Sequence, residues 1–307
     1  MQVSGEDLWA WRQQALQAIS HWTEHPQEQV HYGRELDWLL TAIAPLDRLA
    51  LRLETFRAWP CIALDRSLAD LSDLWQQRLQ DKVPLQYLLG WTTWRDFTLE
   101  VGPGVLIPRP ETELLIDLAQ AAVDHHPHLQ PSAPMQWADL GTGSGAIALG
   151  LARSFPNATI HAVDCSPIAL AIAQRNAERW DLAHRIRFYQ GSWLEPLGKG
   201  CDRLDGIVSN PPYIPSLLMA QLQPEVAHHE PTLALDGGAD GLDAIRTIVN
   251  QAPQSLGPNG ILLLEMMMGQ AQSVETLLKG HEAYSNAQIH LDWAGIQRFA
   301  QAMHRES

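Results

Sequence analysis

Cysteine is scarce in this chain of 307 residues. Three cysteines are present, and they lie far apart at Cys61, Cys165 and Cys201. An odd number of scattered cysteines forms neither a disulfide framework nor the close spacing that metal ligands require. We therefore predict that the protein works in a reducing environment, the cytoplasm.

Long apolar runs are absent as well. The longest, Ile261–Leu264 followed by Met266–Met268, is interrupted by Glu265 and is far too short to cross a bilayer. Its length suits a buried strand instead. The acidic beginning, Met1–Asp7, lacks the apolar core of a secretion signal. These features predict a protein that does not contact membranes.

Runs of lysine and arginine are also missing, and the formal net charge is −14. Residues 1–82 carry 8 basic and 12 acidic side chains, and residues 83–307 carry 13 and 23. A protein that grips many phosphates needs a positively charged surface. The charge balance therefore disfavours direct binding of nucleic acid.

Histidine offers one place to look for a metal site. His125, His126 and His128 share a proline-bounded loop, but no acidic or cysteine partner stands at a ligand-like spacing. We therefore predict that the protein holds no metal ion.

The length of the chain suits two domains. Residues 1–82 place apolar side chains three or four positions apart, as at Leu8, Trp11, Ala15, Ile19 and Trp22, which predicts a small helical domain. Aromatic residues and glycines over residues 83–107 indicate a β-hairpin linker. We expect residues 1–82 to recognise the substrate and residues 108–307 to form the catalytic domain.

Strand and helix patterns alternate over residues 108–307. This alternation predicts an α/β fold with a doubly wound, mostly parallel sheet and helices on both faces. The predicted strands are Met135–Leu140, Thr159–Asp164, Ile186–Gln190, Gly206–Ser209, Gly260–Glu265 and Ala287–Asp292. The predicted helices include Glu111–Val123, Ala146–Ser154, Pro167–Trp180 and Leu242–Gln254.

A glycine-rich loop follows the first of these strands, and its residues are Gly141, Thr142, Gly143, Ser144 and Gly145. Glycines at alternate positions let the backbone turn sharply and approach a ligand closely. The next strand ends in Asp164, whose carboxylate can accept hydrogen bonds from the ribose hydroxyls of an adenosine. These features predict an adenosine-containing cofactor, and both NAD and S-adenosylmethionine fit them.

The fourth strand ends in a second motif, Asn210-Pro211-Pro212-Tyr213. A turn could have this composition, but the motif emerges at the sheet edge beside the glycine loop, where such folds bind ligands. The Asn210 side-chain oxygen and the Pro211 carbonyl are two acceptors that suit a planar NH₂ group, on which Tyr213 can stack. Hydride transfer needs no such clamp, so the motif favours a methyltransferase that uses S-adenosylmethionine over an NAD enzyme.

Two classes of acceptor carry a planar, weakly basic NH₂ group. One is a protein amide, and the other is the amine of adenine (N6) or cytosine (N4) in DNA. An enzyme of the second class must flip a base and hold phosphates. The acidic charge disfavours that alternative, and a binding module that lacks activity is disfavoured because every catalytic position is filled.

The chain closely resembles the peptide chain release factor glutamine methyltransferase family, of the PrmC/HemK type, over most of residues 84–298. The motifs that carry the resemblance are Pro84–Gly90, Ile107–Glu113, Asp139–Gly145, Asp164, Gly191–Trp193, Asn210–Ile214, Glu230-Pro231, Ala234-Leu235 and Asp240–Leu242. The resemblance implies N5-methylation of the glutamine in the Gly-Gly-Gln motif of release factors. A sister group that methylates a ribosomal protein differs at Arg109–Glu113, which favours the release-factor branch.

The resemblance also implies roles for individual residues. Residues Gly141 to Gly145, Asp164, Trp193 and Asn210 would bind the cofactor, and Asn210, Pro211, Pro212 and Tyr213 would hold the glutamine, with Asn210, Pro211 and Tyr213 as the catalytic set. Arg109 and Glu111 would position the substrate, although Glu111 also suits the start of a helix.

Two departures from the family pattern concern local loops. After Leu264-Glu265 the chain reads Met266-Met267-Met268-Gly269, where the family usually has a small apolar residue followed at once by glycine. Gln297 stands where an acidic or polar residue is common.

Overall fold

The computed structural model describes residues 1–126, 134–200 and 203–305. His128 and Cys201 lie outside these residues. The chain forms two compact units, Met1–Leu89 and Gly90–Ser307. Among the described residues, no helix is long and apolar enough to cross a bilayer.

The first unit is built mainly from helices, as predicted. They are α1 (Gly5–Trp22), α2 (Pro26–Ile43), α3 (Arg48–Leu53), α4 (Leu68–Gln80) and α5 (Leu85–Leu89). Two short strands, β1 (Gln2–Val3) and β2 (Ile62–Ala63), pair antiparallel. The Ser4 hydroxyl caps α1 by accepting from the Asp7 backbone N–H at 3.0 Å. The apolar stripe of α1 is buried except for Trp22, which is 44% exposed.

The second unit contains a hairpin, a seven-stranded sheet and six helices among the described residues. The hairpin strands are β3 (Trp91–Trp94) and β4 (Phe97–Glu100). The sheet strands are β5 (Gln136–Leu140), β6 (Thr159–Asp164), β7 (Ile186–Gln190), β8 (Leu204–Ser209), β9 (Leu256–Glu265), β10 (Tyr284–Leu291) and β11 (Gln297–His304). The helices are α6 (Leu114–Asp124), α7 (Ala146–Ser154), α8 (Pro167–Arg179), α9 (Pro224–His229), α10 (Asp243–Gln251) and α11 (Ala271–Gly280).

The sheet is mostly parallel, which confirms the predicted fold class. Its strand order is β10-β11-β9-β8-β5-β6-β7, and only the pairs that involve β11 are antiparallel. The direction of winding reverses between β5 and β8, because β6 follows β5 on one side and β8 flanks it on the other. Leu140 pairs with Ser209, so the loops after β5 and β8 leave the sheet side by side. Doubly wound folds bind ligands at such a switch point.

Apolar side chains cover both faces of the sheet. One cluster joins α6 and α7 to the sheet through residues such as Trp137, Leu149 and Phe155. The other joins α10 and α11 to the opposite face through Ile207 and Ile245. Because both faces are packed, the polar groups at the carboxyl edge are held on a rigid support.

Several element boundaries differ from the sequence expectation. The segment that begins at Glu111 starts with a 3₁₀ turn, Glu111–Glu113, before α6, and α10 gives way to another 3₁₀ turn after Gln251. The tail contains β11, which no sequence pattern predicted. This strand is rich in alanine and glutamine, yet it is inserted between β9 and β10, so tertiary pairing outweighs its weak strand propensity.

Candidate active site

A cavity of about 660 Å³ opens in the second unit at the carboxyl ends of β5, β6 and β8. Its size lies in the range of small-molecule sites. Eight of the residues that the sequence predicted for the site line this cavity: Gly141, Thr142, Gly143, Ser144, Asp164, Trp193, Asn210 and Pro212. Five others, Gly145, Pro211, Tyr213, Arg109 and Glu111, are not among the lining residues.

The glycine loop owes its shape to three left-handed residues. Gly141, Gly143 and Gly145 have φ angles of +72°, +55° and +84°, a region that costs a residue with a Cβ about 1–2 kcal/mol. A Cβ on Gly145 would also stand 3.1 Å from the Cβ of Ala173 in α8. Gly145 therefore serves close packing of the loop against a helix, which explains why it lies behind the cavity wall.

Asp164 joins the end of β6 to this loop. One carboxylate oxygen accepts from the Gly143 N–H at 2.9 Å, and the other accepts from the Ser166 N–H at 2.9 Å. Burial raises the pKa of Asp164, while these backbone hydrogen bonds act in the opposite direction. Oδ1 also accepts a weak hydrogen bond from the Cys165 thiol at 3.8 Å. Because a carboxylate has about four lone-pair positions, Asp164 can still accept from a donor in the cavity.

Asp139 supports the same loop from beneath. Its Oδ2 atom accepts from the Thr142 hydroxyl at 2.6 Å and from the Ala148 N–H at 2.9 Å. Asp139 is fully buried, and burial raises its pKa to about 7. The hydroxyl of Thr142 is thus engaged by Asp139, and Thr142 serves the loop structure as well as the cavity wall.

Trp193 also lines the cavity. Its φ angle is +50°, an uncommon conformation for a residue with a large side chain. A Cβ on Gly141 would lie 3.7 Å from the Cζ3 atom of the indole ring. The ring therefore lies directly beside the glycine loop, and an apolar surface is available to a ligand there.

Asn210, at the end of β8, is oriented by a chain of hydrogen bonds. Its Nδ2 atom donates to the Thr112 hydroxyl oxygen at 3.1 Å. Thr112 in turn donates to Oε2 of Glu265 at 2.7 Å, and the Tyr213 hydroxyl donates to Oε1 of Glu265 at 3.2 Å. Since the amide nitrogen of Asn210 is engaged, its Oδ1 atom is left to accept from a ligand.

The carboxyl group of Glu265 is 1% exposed at the end of β9. Burial raises its pKa to about 7, whereas the hydrogen bond from Thr112 and the positive charge of Arg298 lower it. Burial also raises the pKa of Tyr213, so the phenol keeps its proton and acts as a donor. The predicted stacking of Tyr213 on a planar ligand stays a prediction, because the structure places its hydroxyl against Glu265.

The backbone after Asn210 is held from several sides. Gln270 donates from Nε2 to the Tyr213 carbonyl at 2.9 Å and accepts from the Met267 N–H at 2.9 Å. Ile214 pairs with Asp236 in a parallel bridge. A Cβ on Gly241 would stand 2.2 Å from the Tyr213 carbonyl oxygen, so only glycine fits there. These contacts fix the backbone at the end of the motif, including the direction of the Tyr213 carbonyl.

Arg109 lies outside the cavity wall and forms an ion pair. Its guanidinium stands 2.6 Å from Oε1 of Glu230, whose side chain is 2% exposed, and Oε2 of Glu230 accepts from the Ile107 N–H at 3.3 Å. The pair ties the loop before α6 to the loop after α9. Contact of Arg109 and Glu111 with a substrate stays a prediction.

The sequence alone did not single out four of the residues that organise the site: Thr112, Glu230, Glu265 and Gln270. Thr112 and Glu230 belong to motifs that the resemblance includes, and Glu265 ends a predicted strand. No pattern in the sequence shows that these residues meet, because Thr112 and Glu265 are brought together only by the fold. Among the described residues, no group of three or more potential ligands could hold a metal ion.

Comparisons with known proteins show what this chain is similar to. The family described as "Methyltransferase small domain" matches residues 120–227. A release factor glutamine methyltransferase of Synechocystis is 51% identical over 98% of this chain and 97% of its own length. Enzymes with the same name from Thermosynechococcus vestitus and Gloeobacter violaceus are 48% and 45% identical, over 93% and 94% of this chain and 97% and 94% of their own lengths.

One solved structure supports the fold. The catalytic domain of hMettl16 aligns with a TM-score of 0.56 at 13% identity, over 87% of this chain and 89% of that chain. An identity this low concerns the fold alone.

Proposed function

The chain belongs to the family of release factor glutamine methyltransferases, and on that premise we propose which group it methylates and how. The acceptor is the side-chain amide nitrogen, N5, of the glutamine in the Gly-Gly-Gln motif of peptide chain release factors. The methyl donor is S-adenosylmethionine. One observation carries this proposal: Asn210 stands at the cavity beside the glycine loop, with its amide nitrogen engaged by Thr112 and its oxygen free.

The residues present fit the methyl donor. Asp164 lines the cavity and keeps an acceptor position for the ribose hydroxyls, and Gly141 and Gly143 present backbone without a side chain. The indole of Trp193 offers an apolar wall beside the loop. When bound, S-adenosylmethionine supplies an electrophilic methyl group on a positively charged sulfur.

Orientation is the main contribution of the protein. An amide nitrogen delocalises its lone pair and is a poor nucleophile, so its direction of approach matters. The Oδ1 atom of Asn210 and the carbonyl oxygen of Pro211 can each accept one hydrogen of the substrate NH₂ group. Holding both hydrogens fixes the nitrogen, and positioning of this kind can supply roughly 7–11 kcal/mol of a barrier.

We also propose that the first unit, Met1–Leu89, recognises the release factor as a protein. All the described residues that line the cavity belong to the second unit, which supports a role for the helical unit in recognising the protein substrate rather than the cofactor. The proposal includes action in the cytoplasm, without a metal ion and without direct contact to nucleic acid. The net charge of −14 supports this choice over a DNA amine as acceptor.

One experiment tests the proposed function. The protein is incubated with labelled S-adenosylmethionine and a purified release factor, and the methyl group is mapped by mass spectrometry. Methylation at N5 of the Gly-Gly-Gln glutamine is expected, and it should be absent from a release factor whose motif reads Gly-Gly-Ala. Methyl transfer to duplex DNA instead of the release factor would contradict the proposal.

A further inference from the structure

We propose that Glu265, acting through Thr112, fixes which way the Asn210 amide faces and so keeps its carbonyl oxygen on the substrate side. Glu265 and Thr112 are positioning residues in this proposal, because they act on the substrate through Asn210. The inference rests on the proposed function, since only an NH₂ substrate needs two acceptors at this place.

The direction of the hydrogen bonds carries the argument. A hydroxyl group has one proton, and Thr112 gives its proton to Oε2 of Glu265 across 2.7 Å. The oxygen of Thr112 therefore faces Asn210 with a lone pair. Only the NH₂ half of the Asn210 amide can satisfy that lone pair, and it does so at 3.1 Å. The carbonyl half must then point away from Thr112.

Glu265 suits this task because it accepts on both oxygens. Tyr213 donates to Oε1 and Thr112 donates to Oε2, and an ionised carboxylate has no proton to give back. The side chain is 1% exposed, so water does not compete for these bonds. The order of donors and acceptors is thus determined from Glu265 outward to Asn210.

Protonation of Glu265 would reverse this order. A neutral carboxyl group can donate to the Thr112 oxygen, which frees the Thr112 proton for the Asn210 carbonyl. The amide would then present its NH₂ group to the substrate, where two donors would meet. Burial raises the pKa of Glu265 to about 7, so the reversal falls within a measurable pH range.

Three groups from neighbouring elements act on the pKa of Glu265 besides Thr112. Tyr213 donates a hydrogen bond, Arg298 lowers the pKa of Glu265, and Glu111 raises it. Arg298 also forms an ion pair with Asp292 at 2.8 Å, so its positive charge is shared between the carboxylates of Asp292 and Glu265. Turnover should therefore rise with pH as Glu265 loses its proton.

Single substitutions test the direction of the relay. Glu265→Gln keeps the shape but gives the two hydroxyl donors only one acceptor. Thr112→Val removes the relay while Glu265 remains. Each should lower kcat on the release factor by about 10–100-fold, as loss of an orienting partner does elsewhere.

Two further variants serve as controls. Thr112→Ser keeps a hydroxyl at this position and should retain most of the parental kcat. Tyr284→Phe removes a buried hydroxyl bonded to Val249, outside the relay, and should keep parental turnover.

A charge exchange gives the sharper test. In Asn210→Asp, carboxylates flank Thr112 on both sides and compete for one proton, so activity should be very low. Adding Glu265→Gln supplies a donor to Thr112, which can then donate to the new carboxylate at position 210. The relay then runs in the reverse direction, but every polar group in it has a partner and an oxygen at position 210 still faces the substrate. The double variant should therefore exceed Asn210→Asp at least about tenfold in kcat, because neighbours in one network couple.

Methylation of the release factor by the parental enzyme tests the proposed function. The ratio of each variant's kcat to the parental kcat tests the inference. Affinity for S-adenosylmethionine, measured by calorimetry, should stay close to the parental value in Glu265→Gln, because Glu265 does not line the cavity. The parental rise of kcat with pH near 7 should disappear in Glu265→Gln. A double variant no better than Asn210→Asp, or a Glu265→Gln enzyme with the parental kcat and pH profile, would overturn the inference.

Discussion

The carboxylate of Asp164 accepts a hydrogen bond from the backbone N–H of Gly143, with 2.9 Å between Oδ2 and the nitrogen. This hydrogen bond therefore joins the end of β6 to the glycine loop after β5. Any change at Asp164 alters both the expected ribose contact and the loop that supports it.

Replacement of Asp164 should weaken cofactor binding. Asp164→Ala removes the acceptor for the ribose hydroxyls and a partner of Gly143, and hydrogen bonds to a charged group are worth about 1.5–3 kcal/mol. Because burial raises the pKa of Asp164 above its ordinary value, affinity should also fall when the pH is lowered through that raised value and the carboxylate gains a proton. Calorimetry with S-adenosylmethionine measures both effects. Unchanged affinity in Asp164→Ala would remove Asp164 from the site.

Replacing a glycine of the loop by alanine should destabilise the protein, whereas the same replacement in a helix should not. Gly145→Ala places a Cβ in a left-handed residue and 3.1 Å from Ala173, so it should lower the free energy of unfolding by at least about 1–2 kcal/mol. Gly33→Ala is the matched control, because Gly33 lies within helix α2 with nothing near its added Cβ. This control should raise stability by about 0.5–1 kcal/mol. Denaturant unfolding compares the two, and equal effects would contradict the assigned strain at Gly145.

Asp139 should make stability depend on pH. Its pKa is about 7 in the folded protein against 3.8 for the exposed group. An acid with a raised pKa favours the fold in its protonated form, so its contribution is full below 3.8 and is lost as the pH rises toward 7. Asp139→Asn removes this titration. The variant should therefore gain roughly 2–4 kcal/mol relative to the parent across that window, since one pKa unit corresponds to about 1.4 kcal/mol.

Denaturant unfolding of Asp139→Asn and the parent at several pH values tests this expectation. The difference between the two free energies of unfolding is the quantity to follow, because other carboxylates then cancel. A difference that stays constant with pH would show that Asp139 is ionised throughout.

Removal of the helical unit should separate cofactor binding from methylation of the release factor. A chain that begins at Gly90 lacks the unit proposed to recognise the release factor, but it retains every residue that lines the cavity. It should bind S-adenosylmethionine with about the parental affinity and methylate a whole release factor poorly. Circular dichroism checks the fold. Parental turnover by the shortened chain on the release factor would contradict substrate recognition by the first unit.

Local patterns were sufficient to predict most of the fold. The strands Thr159–Asp164 and Ile186–Gln190 and the helix Ala146–Ser154 have the predicted bounds, because their apolar runs end at glycine, proline or polar residues. Helix α11 was not predicted, although Ala271, Val274 and Leu278 follow helical spacing and are buried. Strand β11 had no such signal, because its place between β9 and β10 depends on pairing with distant residues.

The site was predictable only where a motif is local in sequence. The glycine loop, Asp164 and Asn210 were predicted in this way, and the structure places Asp164, Asn210 and all of the loop except Gly145 around one cavity. The partners that orient them were not, because Thr112 contacts Glu265 across 153 positions of sequence and Gln270 contacts Tyr213 across 57. The sequence also did not show that Arg109 pairs with the buried side chain of Glu230.

The turnover of Asn210→Ala on a release factor tests the central claim most directly. The substitution deletes one of the two acceptors that hold the substrate nitrogen, and kcat should fall on the order of 10²–10³-fold, as when one pre-organised hydrogen-bonding group is removed elsewhere. Asn250→Ala, at an exposed asparagine of α10, is the matched control and should keep parental turnover. The account predicts a folded Asn210→Ala protein that binds S-adenosylmethionine and scarcely methylates the Gly-Gly-Gln glutamine. A folded variant that methylates this glutamine at the parental rate would contradict it.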